Sequence, residues 1–258
     1  MLNFVKYQGA GNDFILIDNR DKSVSLNTAQ IAFLCDRRFG IGADGLMLLE
    51  LTDGFDFKMV YFNSDGNEST MCGNGGRCIV AFAARLGVIK TKTIFLAIDG
   101  SHAAEILENG NVQLKMQDVE SIKLQSDIAI LNTGSPHYIQ WVPECKNVDV
   151  FGTGRSIRNK DEFQPKGINV NFVERANDNK LIVRTYERGV EDETLSCGTG
   201  VTAAAIASSG TATGTFNYDI ETPGGALNVQ FEKHGQLSAR NVYLTGPAVQ
   251  VFEGAIEV

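Results

Sequence analysis

The sequence has no excess of positive charge and no long apolar run. Its 258 residues include 23 Lys or Arg and 31 Asp or Glu, which gives a net charge of −8. An acidic chain without a basic stripe argues against nucleic acid as a partner. No apolar run is long enough to span a membrane. Residues 1–6 lack the charged head and apolar core of a secretory signal. We therefore expect a cytoplasmic protein that binds neither nucleic acid nor membrane.

Histidine is also scarce, and the cysteines are not arranged as metal or disulfide motifs. There are three histidines and five cysteines, with no Cys-x-x-Cys spacing. A zinc site needs clustered Cys and His ligands, so we expect no metal. An odd number of cysteines with no framework spacing favours thiols in a reducing compartment. The glycine loop at 40–45 is not continued into a dinucleotide fingerprint.

What the chain does have is the composition of a globular protein. A hydrophobic content of 43% and a charged content of 21% are ordinary for such chains, and the length suffices for two compact domains. Near the N-terminus, Asn27 or Thr28 is positioned to cap a helix that runs to Phe39, with Gly40 as its stop. Cys35 would then be a core residue of this helix.

Two segments share a cysteine followed by glycine, a variable residue and a second glycine. They are Cys72-Gly73-Asn74-Gly75 and Cys197-Gly198-Thr199-Gly200. Each runs into a stretch of apolar and small residues that predicts a helix, stopped by Gly87 in one case and by Gly210 in the other. A helix that is apolar on all sides belongs inside a fold, so we expect a sheet curled around each one. Cys78 would be buried in the first helix.

A cysteine just ahead of a helix has its sulfur near unpaired backbone N–H groups and the positive end of the helix dipole. Both favour the thiolate. Glycines in the same turn let the backbone close around a small anion such as a carboxylate. Two matched turns of this kind predict a pair of functional thiols.

The similarity between the two segments extends along the chain. Cys72 and Cys197 are 125 residues apart, and the same offset relates six further pairs. They are Gly9 and Gly134, Asn12 and His137, Gly42 and Gly167, Asp44 and Asn169, Tyr61 and Tyr186, and Glu68 and Glu193. An internal duplication explains one shared offset better than coincidence does. We therefore predict two copies of one unit that face each other across a cleft.

Several chemistries use cysteines, and the residues leave more than one open. A thiol–disulfide enzyme normally keeps both cysteines in one short motif. A papain-type nucleophile needs a histidine base, for which His137 could serve, but the second cysteine would be unused. Inversion of an amino-acid stereocentre needs one base on each face of a carbon, and a duplicated fold with one thiol per half supplies that geometry.

Five motifs are spread over nearly the whole chain: GAGNDF (residues 9–14), FNSDG (62–66), MCGNGGRC (71–78), YERG (186–189) and ETLSCGTG (193–200). In combination they resemble the diaminopimelate epimerase family. The resemblance implies an isomerase that interconverts LL- and meso-diaminopimelate without a cofactor, on the route to lysine and peptidoglycan. It also implies an α/β (α+β) fold of two pseudo-symmetric domains, each a mixed sheet around a central helix, in a homodimer. The predicted halves are residues 1–117 with 247–258, and residues 118–246.

The resemblance also assigns roles residue by residue. Cys72 and Cys197 match the acid/base pair, and His137 and Glu187 match polar residues beside the thiols. The remaining substrate-binding matches hold either the reacting carboxylate or the distal amino-acid end. For the carboxylate they are Gly73, Asn74, Gly198 and Thr199, and for the distal end Asn12, Asn63, Asn169, Glu187 and Arg188. Without the family, Arg188 could instead pair with Glu191 or Asp192, His137 could be a core histidine, and Asn12 and Asn63 could be turn formers.

Two positions depart from the family pattern. Ser135 stands where many members have asparagine, and Gly45 stands where some have glutamine. Proline racemases and hydroxyproline epimerases use the same two-thiol logic, but they typically carry histidine after the first Cys-Gly and lack the Glu-Arg-Gly run. An alternative from another class is a redox protein in which Cys72 and Cys197 bridge reversibly.

Overall fold

The computed structural model describes all 258 residues and divides them into two compact units. Unit 1 comprises residues 1–114 and 246–258, and unit 2 comprises residues 115–245. None of the helices is both long and apolar enough to cross a membrane.

The secondary structure consists of 17 strands, four α-helices and two 3₁₀ turns. In chain order the elements are β1 (Leu2–Gly9), β2 (Asn12–Asp18), α1 (Thr28–Cys35), β3 (Gly45–Glu50), β4 (Lys58–Asn63), α2 (Gly73–Arg85), β5 (Lys92–Ala97), β6 (Gly100–Ile106), β7 (Val112–Lys115), β8 (Ile122–Leu124), β9 (Ile128–Asn132), β10 (Pro136–Trp141), a 3₁₀ turn (Cys145–Asn147), α3 (Val150–Arg158), a 3₁₀ turn (Asp161–Phe163), β11 (Asn169–Asn177), β12 (Lys180–Glu187), β13 (Asp192–Thr194), α4 (Gly198–Ser208), β14 (Gly214–Thr222), β15 (Gly225–Lys233), β16 (Arg240–Gly246) and β17 (Val249–Ile256).

The strand pairing of unit 1 is repeated in unit 2. In unit 1, β1 and β2 are antiparallel, β2 and β3 parallel, and β3 and β4 antiparallel. In unit 2, β9 and β10 are antiparallel, β10 and β11 parallel, and β11 and β12 antiparallel. The final strand β17 pairs antiparallel with β1. Each unit therefore holds a mixed sheet with the same local connectivity, as a duplication predicts.

The two central helices occupy equivalent positions after these strands. Ten of the 13 residues of α2 are buried, and so are ten of the 11 residues of α4. Helices buried on nearly all sides form the cores around which the sheets pack. Gly87 and Gly210, at φ of +71° and +57°, follow the helix ends as predicted. The prediction of an α+β fold with two similar domains, each with a central helix, is confirmed.

The first helix is shorter than the sequence predicts. Asn27 caps α1 through a capping box, but the helix ends at Cys35 rather than Phe39. The Asp36 carboxylate accepts the backbone N–H groups of Arg38 and Phe39, both at 2.7 Å. A side chain that bonds the following N–H groups competes with the helical ladder, and a turn replaces the last helical residues. Cys35 is buried, as predicted.

Candidate active site

In unit 1, Cys72 is the residue that immediately precedes α2. Its backbone is extended, with φ −95° and ψ 133°, and its side chain does not cap the helix. The helical ladder begins where the Gly76 N–H donates to the Cys72 carbonyl at 2.7 Å. The N–H groups of residues 73–75 precede that bond, where a helix has no acceptor of its own for them. They form a donor cluster suited to an anion beside the thiol.

Asn12 lies against this thiol with a fixed orientation. Its Nδ2 donates to the Asp44 carboxylate, which can only accept hydrogen bonds when ionised. Its Oδ1 therefore faces the other way, 3.6 Å from Cys72 Sγ and 3.5 Å from Asn74 Nδ2. The structure thus brings together Asn12, Cys72 and Asn74.

A charge network holds Asp44 in place from outside the site. Arg37 donates to Asp13 and to Asp44, both at 2.7 Å, and Lys6 lies 2.8 Å from Asp13. Burial alone would raise the pKa of Asp13, but hydrogen bonds from Arg37 and Lys6 lower it to about 2. Two cations and two carboxylates therefore form a balanced cluster behind Asn12.

Asn63 and Gly45 lie opposite each other where β3 and β4 pair. Gly45 also pairs with Phe14 of β2, so Asn63 is at the same end of the sheet as Asn12. A Cβ on Gly45 would lie 2.6 Å from the Tyr61 ring. Tyr61 therefore occupies the space that a glutamine at this position would need.

In unit 2, Cys197 holds the equivalent position before α4. Its backbone is extended and its side chain is 7% exposed. The Val201 N–H donates to the Cys197 carbonyl at 2.9 Å, which leaves residues 198–200 as the N–H cluster of this half. The Thr199 hydroxyl lies 3.5 Å from the Cys197 sulfur.

His137 is tied to Thr199 through a buried polar network. Asn171 Nδ2 donates to the Tyr138 carbonyl at 3.2 Å, while its Oδ1 accepts from Thr185 at 3.0 Å, and these bonds fix its amide orientation. The same Nδ2 lies 3.0 Å from His137 Nδ1, which must then be an acceptor. The ring proton is therefore on Nε2, which donates to the Thr199 hydroxyl at 2.9 Å.

The electrostatics of His137 keep the ring neutral. Burial, with a smaller contribution from the positive charge of Arg188, lowers the pKa of His137 to about 3. The ring is fully buried, and its proton-bearing nitrogen is used by Thr199. A neutral donor of this kind orients Thr199, and the geometry does not favour a papain-type pair in which the histidine takes a proton from Cys197.

Asn169, Arg188 and Ser135 form a second polar group in unit 2. Asn169 donates to Ser135 Oγ at 2.9 Å and accepts the Arg188 backbone N–H at 2.9 Å. The Arg188 guanidinium lies 3.4 Å from the same Ser135 oxygen. Glu191 pairs instead with Arg158 at 3.0 Å, so the interpretation of Arg188 as its surface partner is wrong. Glu187 is the half-buried last residue of β12, next to Arg188.

Sequence reasoning missed three members of these networks. Asn171 and Thr185 have no conspicuous motif, but both are fully or nearly fully buried polar residues on strands. The available signal was the asparagine two residues after Asn169, because residues i and i+2 of a strand face the same side of the sheet. Ser135 stands out in the sequence only as a departure from the family pattern, yet its hydroxyl accepts hydrogen bonds from Asn169 and Arg188.

The other three cysteines are packing residues. Cys35, Cys78 and Cys145 are 3%, 0% and 1% exposed. Burial raises their pKa values to about 12, about 12 and about 11. These thiols stay protonated at neutral pH, which leaves Cys72 and Cys197 as the candidates for thiolate chemistry. The structure brings together no group of three His, Cys, Asp or Glu side chains that could hold a metal ion.

The whole fold is similar to those of two proteins of solved structure. It matches a Bacillus anthracis phenazine biosynthesis protein of the PhzF family with a TM-score of 0.77 at 16% identity, over 100% of this chain and 99% of that one. It also matches a probable proline racemase from Agrobacterium radiobacter with a TM-score of 0.69 at 13% identity, over 100% and 93% of the two chains. These matches show that the chain shares its fold with both proteins.

Sequence comparison identifies the family of the chain. The diaminopimelate epimerase family model matches residues 4–122 and 129–251. A diaminopimelate epimerase of Flavobacterium psychrophilum is 53% identical over 99% of this chain and 100% of its own length. That of Aquifex aeolicus is 39% identical over 99% of this chain and 98% of its own length. The chain belongs to the diaminopimelate epimerase family and is an isomerase.

Proposed function

We propose that the protein interconverts LL- and meso-diaminopimelate without a cofactor, with Cys72 and Cys197 as its two proton-transfer residues. The observation that carries this is the duplicated local geometry. In each unit a cysteine immediately precedes a buried helix and lies beside an N–H cluster. Each thiol also has a polar side chain next to it, Asn12 of β2 in unit 1 and Thr199 of α4 in unit 2. We further propose that the two units are the catalytic halves.

The proton inventory of such a reaction is balanced. One cysteine, as thiolate, takes the α-proton from one face of the substrate carbon, and the bonding pair is left as a carbanion delocalised into the carboxylate. The other cysteine, as thiol, returns a proton to the opposite face. The enzyme finishes with the protonation states of the two sulfurs exchanged, and the reverse reaction restores them. No electron transfer or co-reactant is required.

The N–H clusters at residues 73–75 and 198–200 would stabilise the carboxylate as negative charge accumulates on it. Preorganised backbone donors at a helix terminus act where charge develops in the transition state, and each one can contribute about 3 kcal/mol. Gly73 with Asn74 and Gly198 with Thr199 are the proposed carboxylate contacts. This assignment is based on the family match and on the position of these residues in the first helical turn.

The distal amino-acid end requires acceptors for an ammonium group and a donor for a carboxylate. The Arg188 guanidinium is a planar donor suited to a carboxylate. It lies 3.4 Å from the Ser135 hydroxyl, and the Arg188 backbone N–H donates to Asn169. We assign Asn12, Asn63 and Glu187 to the same substrate by family resemblance. A substrate with a charged far end fits this set better than proline, so proline should not be turned over.

The first test is epimerisation of LL-diaminopimelate by cysteine variants. Cys72→Ala and Cys197→Ala should each abolish product formation, because each removes one of the two proton carriers. The matched control is Cys35→Ala, which removes a core thiol and should keep the activity. Chelators and removal of pyridoxal phosphate should have no effect. Activity retained by either catalytic-site variant, or turnover of proline by the intact enzyme, would contradict the assignment.

We also propose that the protein is a cytoplasmic homodimer that serves lysine and peptidoglycan precursor synthesis. Strand β17 supports the dimer, because Val249, Val251 and Phe252 on it are 47%, 55% and 45% exposed. Contiguous exposed apolar residues mark an interaction surface. Val251→Asp should give a monomer in sedimentation, whereas Leu237→Asp, at an exposed site in unit 2, should not. A dimer that survives Val251→Asp would rule out this surface.

A further inference from the structure

Arg77 is a fully buried cation with no acidic partner. It lies in the second turn of α2 with 0% exposure. Its guanidinium donates to the Gly73 carbonyl at 3.2 Å, to Asn74 Oδ1 at 2.9 Å and to the Pro247 carbonyl at 3.4 Å. All three acceptors are neutral. Burying an unpaired charge is costly, so a side chain in this state indicates a compensating role.

The bonds of Arg77 direct its charge toward the start of its own helix. Helical side chains lean toward the N-terminus, and two of the three acceptors belong to the residues immediately after Cys72. Burial lowers the pKa of Arg77, while the adjacent sulfurs of Cys78 and Cys72 act in the opposite direction. Cys78 itself stays a thiol because burial raises its pKa to about 12.

The duplicated half lacks this charge at the equivalent position. The offset of 125 relates Arg77 to Thr202, whose hydroxyl donates to the Gly198 carbonyl at 2.8 Å. Gly198 is in turn the counterpart of Gly73. The same carbonyl is therefore bonded by a guanidinium in unit 1 and by a neutral hydroxyl in unit 2. Because a hydroxyl suffices for this bond in unit 2, the bond itself does not require the positive charge of Arg77.

The two thiols also differ in the side chains that lie next to their sulfur atoms. Asn12 presents a carbonyl oxygen to Cys72, and such an acceptor favours the protonated thiol. Thr199 presents to Cys197 a hydroxyl that already accepts from His137 and is able to donate to sulfur. Cys197 thus has a neutral donor available for its thiolate, whereas the Asn12 carbonyl cannot serve Cys72 in that way.

The charged groups on the elements around α2 do not replace Arg77. From β1 and β2, Lys6 and Asp13 belong to the balanced cluster that Arg37 and Asp44 complete. Tyr7 of β1 has its pKa raised by burial and is neutral.

On the β6 side, Asp99 accepts the Met71 N–H at 3.3 Å, and His102 of β6 lies 3.3 Å from the same carboxylate. A carboxylate there opposes a thiolate at Cys72. Arg77, which is bonded to the two residues that follow Cys72, is therefore the cation here that no carboxylate neutralises.

We propose that Arg77 is a positioning residue whose buried charge favours the thiolate form of Cys72, a form that the Asn12 carbonyl alone would disfavour. Ionisation releases the thiol proton to solvent and changes no oxidation state. The role in turnover rests on the proposed function, since the thiolate of Cys72 is one of the two proton acceptors. The two halves then reach a reactive thiolate by different means: a buried cation in one and a hydroxyl donor in the other.

The test measures the ionisation of Cys72 without substrate, in a Cys197→Ser background. The other three cysteines are at most 3% exposed, so iodoacetamide reports on Cys72. Arg77→Gln should raise the midpoint of the alkylation-rate profile by at least about one pH unit and slow alkylation at pH 7 about tenfold. Arg77→Lys should keep the rate within about threefold, because the charge is kept. Thr202→Val, which breaks the equivalent bond without changing charge, should leave the profile unchanged.

An unchanged midpoint in folded Arg77→Gln would overturn the proposal, as would equal shifts in the Gln and Lys variants, which would indicate packing rather than charge. A second measurement needs no change at Arg77: with arginine intact, the Cys72 midpoint should lie at least about one unit below the ordinary cysteine value of about 8.5. A midpoint at or above that value also overturns the proposal. Loss of the two-cysteine assignment would show separately, as epimerisation by Cys72→Ala.

Discussion

The neutral state of His137 can be tested through the pH dependence of stability. An ordinary histidine has a pKa near 6.5, whereas burial lowers the pKa of His137 to about 3 in the folded protein. Between these values the unfolded chain binds a proton that the folded protein excludes, so stability rises with pH across this window and is fully present above pH 6.5. At pH 5 the loss attributable to His137 is about 2 kcal/mol, since one pKa unit corresponds to about 1.4 kcal/mol.

The perturbation is His137→Gln, which keeps a donor and an acceptor but cannot bind a proton. Denaturant unfolding of both proteins at several pH values gives two curves of unfolding free energy against pH. Between pH 4 and 6 the unfolded wild-type chain binds almost one more proton at this position than the folded protein does. The wild-type curve should therefore be steeper than that of the variant by about 1.3 kcal/mol per pH unit. A constant offset between the curves reports only the lost packing. Parallel curves would refute the reasoning, because His137 would then titrate equally in the folded and unfolded states.

Two further predictions concern the same half of the molecule and the pair of thiols. A Cβ on Gly200 would collide with Asn171 Oδ1, so Gly200→Ala should destabilise the protein by about 1–3 kcal/mol in thermal unfolding. The control is Gly235→Ala, which should be nearly neutral because its Cβ would meet only Ser238 Oγ at 3.4 Å. Equal destabilisation by the two variants would contradict this. Air-aged enzyme should lose activity and recover it with reductant, because the proposed mechanism needs both Cys72 and Cys197 in the reduced form. Activity that ignores reductant would contradict this.

The sequence was sufficient for the architecture because the informative patterns are local. Glycine after each cysteine, apolar helices and a terminal glycine at a positive φ each act within a few residues. The end of α1 was mispredicted because the Asp36 side chain decides it, and helical periodicity does not report such a competition.

The polar networks were less predictable because they join strands that are distant in sequence. Asn171 contacts His137 across 34 positions and Thr185 across 14, and no spacing rule relates them. Arg77 was visible in a motif, but its significance depends on complete burial and on the neutrality of its three acceptors. Those are properties of the packed structure.

Thr199 illustrates how one site residue combines both kinds of information. Its place after Cys197 and Gly198 in the sequence predicts a carboxylate contact through its backbone. The structure adds that its hydroxyl links His137 to the Cys197 sulfur. Thr199→Val should therefore remove the hydroxyl that lies beside the Cys197 sulfur while it retains the backbone N–H. A sequence motif alone would not suggest this separation of roles.

The claim that two separate cysteines serve the two faces of one carbon is tested most directly by solvent isotope incorporation. LL-diaminopimelate is incubated with the enzyme in deuterated water, and product and remaining substrate are analysed by mass spectrometry at low conversion. Two-base chemistry predicts that the meso product carries solvent deuterium at the inverted carbon while unreacted LL substrate keeps its proton. Early deuterium in the substrate pool would contradict the account and indicate a single base.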